Sequence, residues 1–180
     1  LGSLSVSANT LNQITVAGLA MNFAAAVLVV ERHFVWATVV FITGSILDIL
    51  DGALARTHGK LTPFGGFLDS TTDRISEGLI LGSIALVLSE QGHVAALASV
   101  FVALVGSFLV SYTRAKAEAL GLTGAVGLMG RAERIVLVAV ALPFAGLGSL
   151  PYAMYLLAAL TTLTVVQRVN HVRTQLSKGE

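Results

Sequence analysis

From Leu1 to Val30 the chain carries no charged side chain, and three more such runs follow: Phe34 to Leu47, Val94 to Thr113 and Ile135 to Gln167. Runs of this kind leave few options, because a helix needs ~20 apolar residues to cross a bilayer and these stretches approach or exceed that length. The composition agrees. With 55% hydrophobic residues, 12% charged residues and a mean hydropathy of +0.84, a chain of 180 residues has more apolar surface than one water-soluble core could bury. The expected fold class is all-α: an integral membrane bundle, read as a single domain over residues 1–180.

Charges, glycines and prolines divide the apolar runs into six expected transmembrane helices, at about 11–30, 34–57, 65–90, 93–120, 131–149 and 151–176. Glu31 to His33 and Gln91 to Gly92 are expected to be tight turns, and Pro151, following Gly146 and Gly148, separates the fifth helix from the sixth. With an even number of spans, Arg56, Lys60, Arg74, Arg114, Lys116, Arg131, Arg134, Arg168, Arg173 and Lys178 fall at one face and only Arg32 at the other. The positive-inside rule makes the first face cytoplasmic, in a multi-pass plasma-membrane protein. No internal repeat is evident. The absence of cysteine excludes disulfides and thiolate metal sites. Residues 4–30 lack the basic leader and small-residue cleavage site of a signal peptide. The start at Leu1, without a methionine, points to an upstream segment in the natural chain. The net charge of +1 identifies no partner, and no nucleic-acid partner is expected.

The acidic residues are harder to reconcile with lipid. Eight of the ten lie on the cationic face, including all four aspartates of "LDILDGALARTHGKLTPFGGFLDSTTDR". The helix from Phe34 to Asp48 rises ~21 Å, which brings the first carboxylate near the inner edge of a ~30 Å hydrocarbon layer. Asp48 and Asp51 are spaced i, i+3 and Asp69 and Asp73 i, i+4, so each pair occupies one helix face. Four carboxylates converging in a low dielectric repel one another unless a cation intervenes. Oxygen-only donors favour Mg²⁺, Mn²⁺ or Ca²⁺ over zinc, and Mg²⁺ commonly completes its shell with substrate phosphates. Gly52 and Gly65 allow backbone or ligand to come close, and Arg56 can reach a phosphate bidentately. Simple capping, or pairing with Arg56 and Arg74, accounts for two of the carboxylates but not four.

The spacing D-x2-D-G-x2-A-R-x8-G-x3-D-x3-D, carried by Asp48, Asp51, Gly52, Ala55, Arg56, Gly65, Asp69 and Asp73, matches every position of the signature of the CDP-alcohol phosphotransferase family, which this chain therefore resembles. "TLNQIT", Thr10 to Thr15, is similar to that family's T-P-N-x-x-T segment, with Leu11 in place of proline. "SYTRAKAEALGL", "GRAERI" and "QRVNHVR" resemble its actinobacterial branch that makes phosphatidylinositol phosphate.

The resemblance implies six transmembrane helices in a homodimer, transfer of a phosphatidyl group from CDP-diacylglycerol to an alcohol, and release of CMP. It implies that Asp48, Asp51, Asp69 and Asp73 bind Mg²⁺ (or Mn²⁺), with Asp73 also the general base. Asn12, Gln13, Ile14, Thr15, Gly52, Ala55, Arg56 and Gly65, with Thr62 as a nearby hydroxyl, would line the CDP-lipid site. Arg114, Lys116, Arg131, Arg134 and Arg168 form the candidate pocket for an acceptor that is itself a phosphate ester, inositol 1-phosphate by resemblance. Each is otherwise an inner-leaflet anchor beside lipid headgroups. Glycerol 3-phosphate is the alternative acceptor, and a divalent-cation transporter the alternative from another class. Glu77 shares the face of Asp69 and Asp73 and reads as a partner of a basic residue. The histidines at 33, 58, 93 and 171 lack ligand spacing for zinc. Gly78 and Gly82 permit close helix approach. The glycines at 121, 124 and 127 fit either a mobile loop or an ordinary connection.

Overall fold

The computed structural model describes residues 8–57 and 62–178, with side chains from residue 12 to 48 and from 62 to 178. Among these all the regular structure is helical: α1 (Ala8–Val30), α2 (Phe34–Thr57), α3 (Pro63–Glu90), α4 (Val94–Ala119), α5 (Arg131–Ala141), a 3₁₀ segment (Leu142–Leu147) and α6 (Ser149–Leu176). Three of them, over Asn12–Val30, Val94–Ala119 and Ser149–Leu176, are long and apolar enough to cross a membrane, and Phe34–Asp48 is a shorter apolar stretch. Burial follows the logic of lipid as solvent. Asn22, Ser107, Thr161, Arg134 and Arg168 are buried, while Trp36, Phe101, Tyr152 and Leu156 face outward.

The expected fifth helix, 131–149, is corrected by the structure. The α-helix ends at Ala141 because Pro143 has no N–H to continue the ladder; a 3₁₀ turn takes over, and Gly148, at φ +83°, reverses the chain into α6. Ser149 Oγ donates to the Ala141 carbonyl at 2.6 Å across this break. The two expected turns are present and share one closure with the turn that ends α4. In each, the amide five residues on bonds back and the preceding amide bonds three back: His33 to Leu28 and Arg32 to Val29, His93 to Leu88 and Gly92 to Ser89, Leu122 to Ala117 and Gly121 to Glu118. Gly92 and Gly121 take the left-handed position in two of these turns; in the first it falls to Arg32, at φ 62°.

The chain forms two compact units, residues 1–83 and 84–180. In the first, α1 packs antiparallel to α2 along Thr15, Gly18, Asn22, Ala25 and Val29 on one side and Ala37, Phe41, Gly44 and Asp48 on the other. The three- and four-residue steps define one stripe on each helix. Glycine makes the approach close, since a Cβ on Gly44 would stand 3.2 Å from the Gly18 carbonyl. In the second unit α4 packs on α6, with Ala96, Val100, Ala103, Gly106 and Val110 meeting Leu150, Met154, Leu157, Thr161 and Thr164. At its centre a Cβ on Gly106 would lie 2.4 Å from Thr161 Oγ1.

Candidate active site

In the first unit Asp48 takes the next place in the packing stripe of α2, one step after Ala37, Phe41 and Gly44, and is only 5% exposed. Gly18 makes room for it: a Cβ there would fall 2.0 Å from Asp48 Oδ1. The carboxylate thus occupies a notch in the opposing helix, where any other residue at 18 would displace it. Asp69 and Asp73 are half-buried, one turn apart on α3, on either side of buried Thr72, whose hydroxyl bonds the Leu68 and Asp69 carbonyls at 3.0 Å each. The side chains of Asp51, Gly52, Ala55 and Arg56 lie outside the described residues.

The start of α3 gathers other expected site residues. Thr62 Oγ1 accepts the Gly65 N–H at 3.0 Å, so this hydroxyl is the N-cap of α3, with Pro63 at the first helical position. A Cβ on Gly65 would meet that oxygen at 2.9 Å and Asn12 Oδ1 at 3.6 Å, which places the first-helix segment beside the cap. Within that segment Thr15 is buried, Asn12 and Ile14 are half-buried and Gln13 is exposed.

In the second unit the cations separate by burial. Arg134 and Arg168 are 4% and 5% exposed. Arg168 Nε donates to the Val126 carbonyl at 2.8 Å and its Nη1 to the Val110 carbonyl; Arg134 Nη1 is 3.4 Å from the Met129 carbonyl. Arg114 and Arg134 both act repulsively on Arg168, and Glu118 attractively. Arg114 is an exposed residue paired with Glu118 at 2.8 Å, an ion pair worth about 0–1 kcal/mol. Lys116 is exposed and Arg131 half-buried. Three guanidiniums brought near one another, two of them out of water, are an arrangement that an anion stabilises. Glu118 escaped the sequence reading, although its i, i+4 spacing from Arg114 carried the signal. So did Thr123, Thr164, Gln167 and Gln175, which fix the loop beside these arginines.

The described carboxylates are hard oxygen donors, and the glycine notch keeps one of them in place, so the donor chemistry fits a divalent cation of the Mg²⁺ or Mn²⁺ type. Among the described residues no three acidic or histidine side chains surround one point; the remaining aspartate of the motif, Asp51, is outside them.

The first unit thus holds a buried carboxylate in a helix–helix notch and an aspartate pair on α3, and the second a guanidinium cluster at the ends of α4, α5 and α6. The CDP-alcohol phosphatidyltransferase profile matches residues 8–167, and the chain belongs to that enzyme family. It is 39% identical over 171 residues to archaetidylinositol phosphate synthase of Pyrococcus horikoshii, covering 94% of this chain and 87% of that one. It is 38% identical over 167 residues to phosphatidylinositol phosphate synthase of Corynebacterium glutamicum, covering 89% and 76%. The crystal structure of Mycobacterium tuberculosis phosphatidylinositol phosphate synthase with CDP-DAG bound superposes with a TM-score of 0.83 at 30% identity, over 90% of this chain and 85% of that one. The same enzyme in complex with manganese and citrate gives 0.82, over 91% and 82%.

Proposed function

We propose that this protein transfers the phosphatidyl group of CDP-diacylglycerol to inositol 1-phosphate, giving phosphatidylinositol phosphate and CMP. The observation that carries the acceptor is the guanidinium cluster of Arg114, Arg134 and Arg168, two of whose members are buried. An alcohol that carries a phosphate brings the anion that such a cluster binds well. The names of the relatives support the same headgroup, because the archaeal and bacterial enzymes share inositol phosphate and differ in the lipid. Membership of a transferase family argues against the cation-transporter alternative.

Asp48, Asp51, Asp69 and Asp73 would hold the divalent cation, Mg²⁺ or Mn²⁺. When bound it neutralises charge on the phosphate oxygens of the CDP-lipid. Asn12, Thr15, Gly52, Ala55, Arg56 and Gly65 bind and orient the CDP moiety, with Thr62 fixing the start of α3. Asp73 accepts the proton of the inositol hydroxyl. The hydroxyl oxygen bonds to the lipid-bearing phosphorus, the bond from that phosphorus to the CMP oxygen breaks, and CMP leaves with the electron pair. Arg134 and Arg168, with Arg114, Lys116 and Arg131 around them, hold the acceptor's phosphate. The protein would work as a homodimer of six-span chains in the plasma membrane, with its site on the cytoplasmic side, where the positive-inside rule puts the cations.

The test is CMP release by the purified protein given CDP-diacylglycerol, Mg²⁺ and either inositol 1-phosphate or glycerol 3-phosphate. Release with inositol 1-phosphate is expected; release with glycerol 3-phosphate alone overturns the acceptor.

A further inference from the structure

The connection between α4 and α5, residues 120–130, has no regular structure of its own, yet it is bound to α6 along its length. Thr164 Oγ1 accepts the Met129 N–H at 3.0 Å, Gln167 Oε1 accepts the Leu128 N–H at 3.3 Å, and Arg168 Nε donates to the Val126 carbonyl at 2.8 Å. Further along α6, Gln175 clasps Thr123: its Oε1 accepts from the amide at 3.1 Å and from the hydroxyl at 3.0 Å, and its Nε2 donates to the carbonyl at 2.8 Å. His171 Nε2 lies 3.4 Å from the same hydroxyl. Positions 164, 167, 168, 171 and 175 recur at helical steps and form one stripe, along which the connection runs antiparallel.

Two glycines let the connection lie flat. Gly127 sits at φ +111°, where a Cβ would come 2.5 Å from Thr164 Cγ2, and a Cβ on Gly124 would come 2.9 Å from the Cα of Arg114. The connection is therefore pressed against the backbone of one arginine of the cluster. It receives a bond from the second, Arg168, and leads into the helix that bears the third, Arg134. Arg168 commits only part of its five-donor fork to the Val126 and Val110 carbonyls, which leaves donors for an anion.

On the reading that this cluster binds a phosphate-bearing acceptor, we propose that Gln167 and Gln175 are positioning residues for it. They touch no substrate. By fixing the backbone between Thr123 and Leu128 they hold the carbonyl on which Arg168 rests, and so the spacing of Arg114, Arg134 and Arg168. Neutral amides suit the task, since they bind peptide groups without adding charge to the anion site.

The test uses Gln167→Met and Gln175→Met, singly and together, in the full chain, with Thr162→Val as a control elsewhere on α6, where the hydroxyl bonds only the Ala158 carbonyl. In the double variant KM for inositol 1-phosphate rises about tenfold, while kcat and KM for CDP-diacylglycerol stay within about twofold of wild type. Thr162→Val changes neither. Equal rises in both KM values, or a fall in kcat alone with a lower melting temperature, overturn the proposal. Should the double variant not fold, Thr123→Val, which deletes the hydroxyl's contacts with Gln175 and His171 and keeps the two backbone bonds to Gln175, gives the same KM split on a smaller scale. Wild type assayed in parallel with glycerol 3-phosphate separates the two readings: if only that acceptor is used, the acceptor assignment fails and its KM reports on the glutamines instead. If neither acceptor is used, the rise in melting temperature given by inorganic phosphate is the readout. It is smaller in the double variant if the glutamines position the cluster, and unchanged if they do not.

Discussion

Replacing Gly18 with alanine separates the stability of the first unit from its chemistry. The new Cβ would stand 2.0 Å from Asp48 Oδ1, 3.1 Å from its Cγ and 3.4 Å from the Gly44 carbonyl. Non-bonded heavy atoms rest at roughly 3.5 Å, so the carboxylate oxygen has to move by roughly 1 to 1.5 Å, whereas the Gly44 carbonyl hardly moves. The moving atoms end a short side chain, so the shift costs about 0.5–1.5 kcal/mol of off-rotamer strain. Against this, alanine in a helix gains about 0.8–1 kcal/mol over glycine. The two terms nearly cancel, and the melting temperature in detergent is expected to stay within a few degrees of wild type. Activity responds otherwise, because a displacement of about 1 Å in a group that must meet a ligand costs on the order of 10²-fold. CMP release at fixed Mg²⁺ is therefore expected to fall about a hundredfold and to recover in part as Mg²⁺ is raised. Gly146→Ala is the control, since its Cβ would meet nothing within 4 Å. Gly18→Ala with activity within about threefold of wild type at every Mg²⁺ concentration would refute the notch as the device that places Asp48.

Asp73→Asn should lower turnover by about 10²–10⁴-fold while CDP-lipid binding, followed by titration, is largely kept; retained turnover removes its role as base. Arg134→Gln should raise KM for inositol 1-phosphate well above any change in KM for the lipid, and equal changes count against a separate acceptor pocket. Gly106→Ala pushes a Cβ to within 2.4 Å of Thr161 Oγ1 and 2.8 Å of Thr161 Cβ, and should destabilise the α4–α6 pair by about 1–3 kcal/mol in a detergent melt, with partial recovery when Thr161→Ala is added. Arg32→Gly relieves a left-handed non-glycine residue and should stabilise the α1–α2 turn by about 1 kcal/mol, seen as a small rise in melting temperature.

The helices and their turns were legible in the sequence because the signals are local. Charge-free runs set the lengths, and Glu31 to His33 and Gln91 to Gly92 end helices wherever they are placed. The break at Pro143 was carried by the sequence as well; its apolar neighbours masked it, since composition continues through residues 142–147 while the hydrogen-bond ladder cannot. The acidic motif was equally plain, because its eight residues fall within one stretch of 26, Asp48 to Asp73.

Other features depended on residues far apart in the chain. Thr62 read as a ligand-binding hydroxyl, yet the structure also gives it a cap to make. The glycines of the 120–130 connection fitted a mobile loop and an ordinary connection equally well, whereas the structure shows Gly124 and Gly127 permitting close packing on α4 and α6. Arg168 read as a candidate phosphate-binding cation at a helix end, and the tertiary structure buried it with bonds to carbonyls 42 and 58 residues away. By itself the sequence determined that the chain is apolar helix punctuated by charge, with an acidic motif spaced as in the CDP-alcohol phosphatidyltransferases. Which glycine receives Asp48, which carbonyls hold Arg168 and which glutamines bind the connection were decided only in three dimensions, because a packing notch or a buried hydrogen bond is a property of two surfaces and neither segment encodes the other.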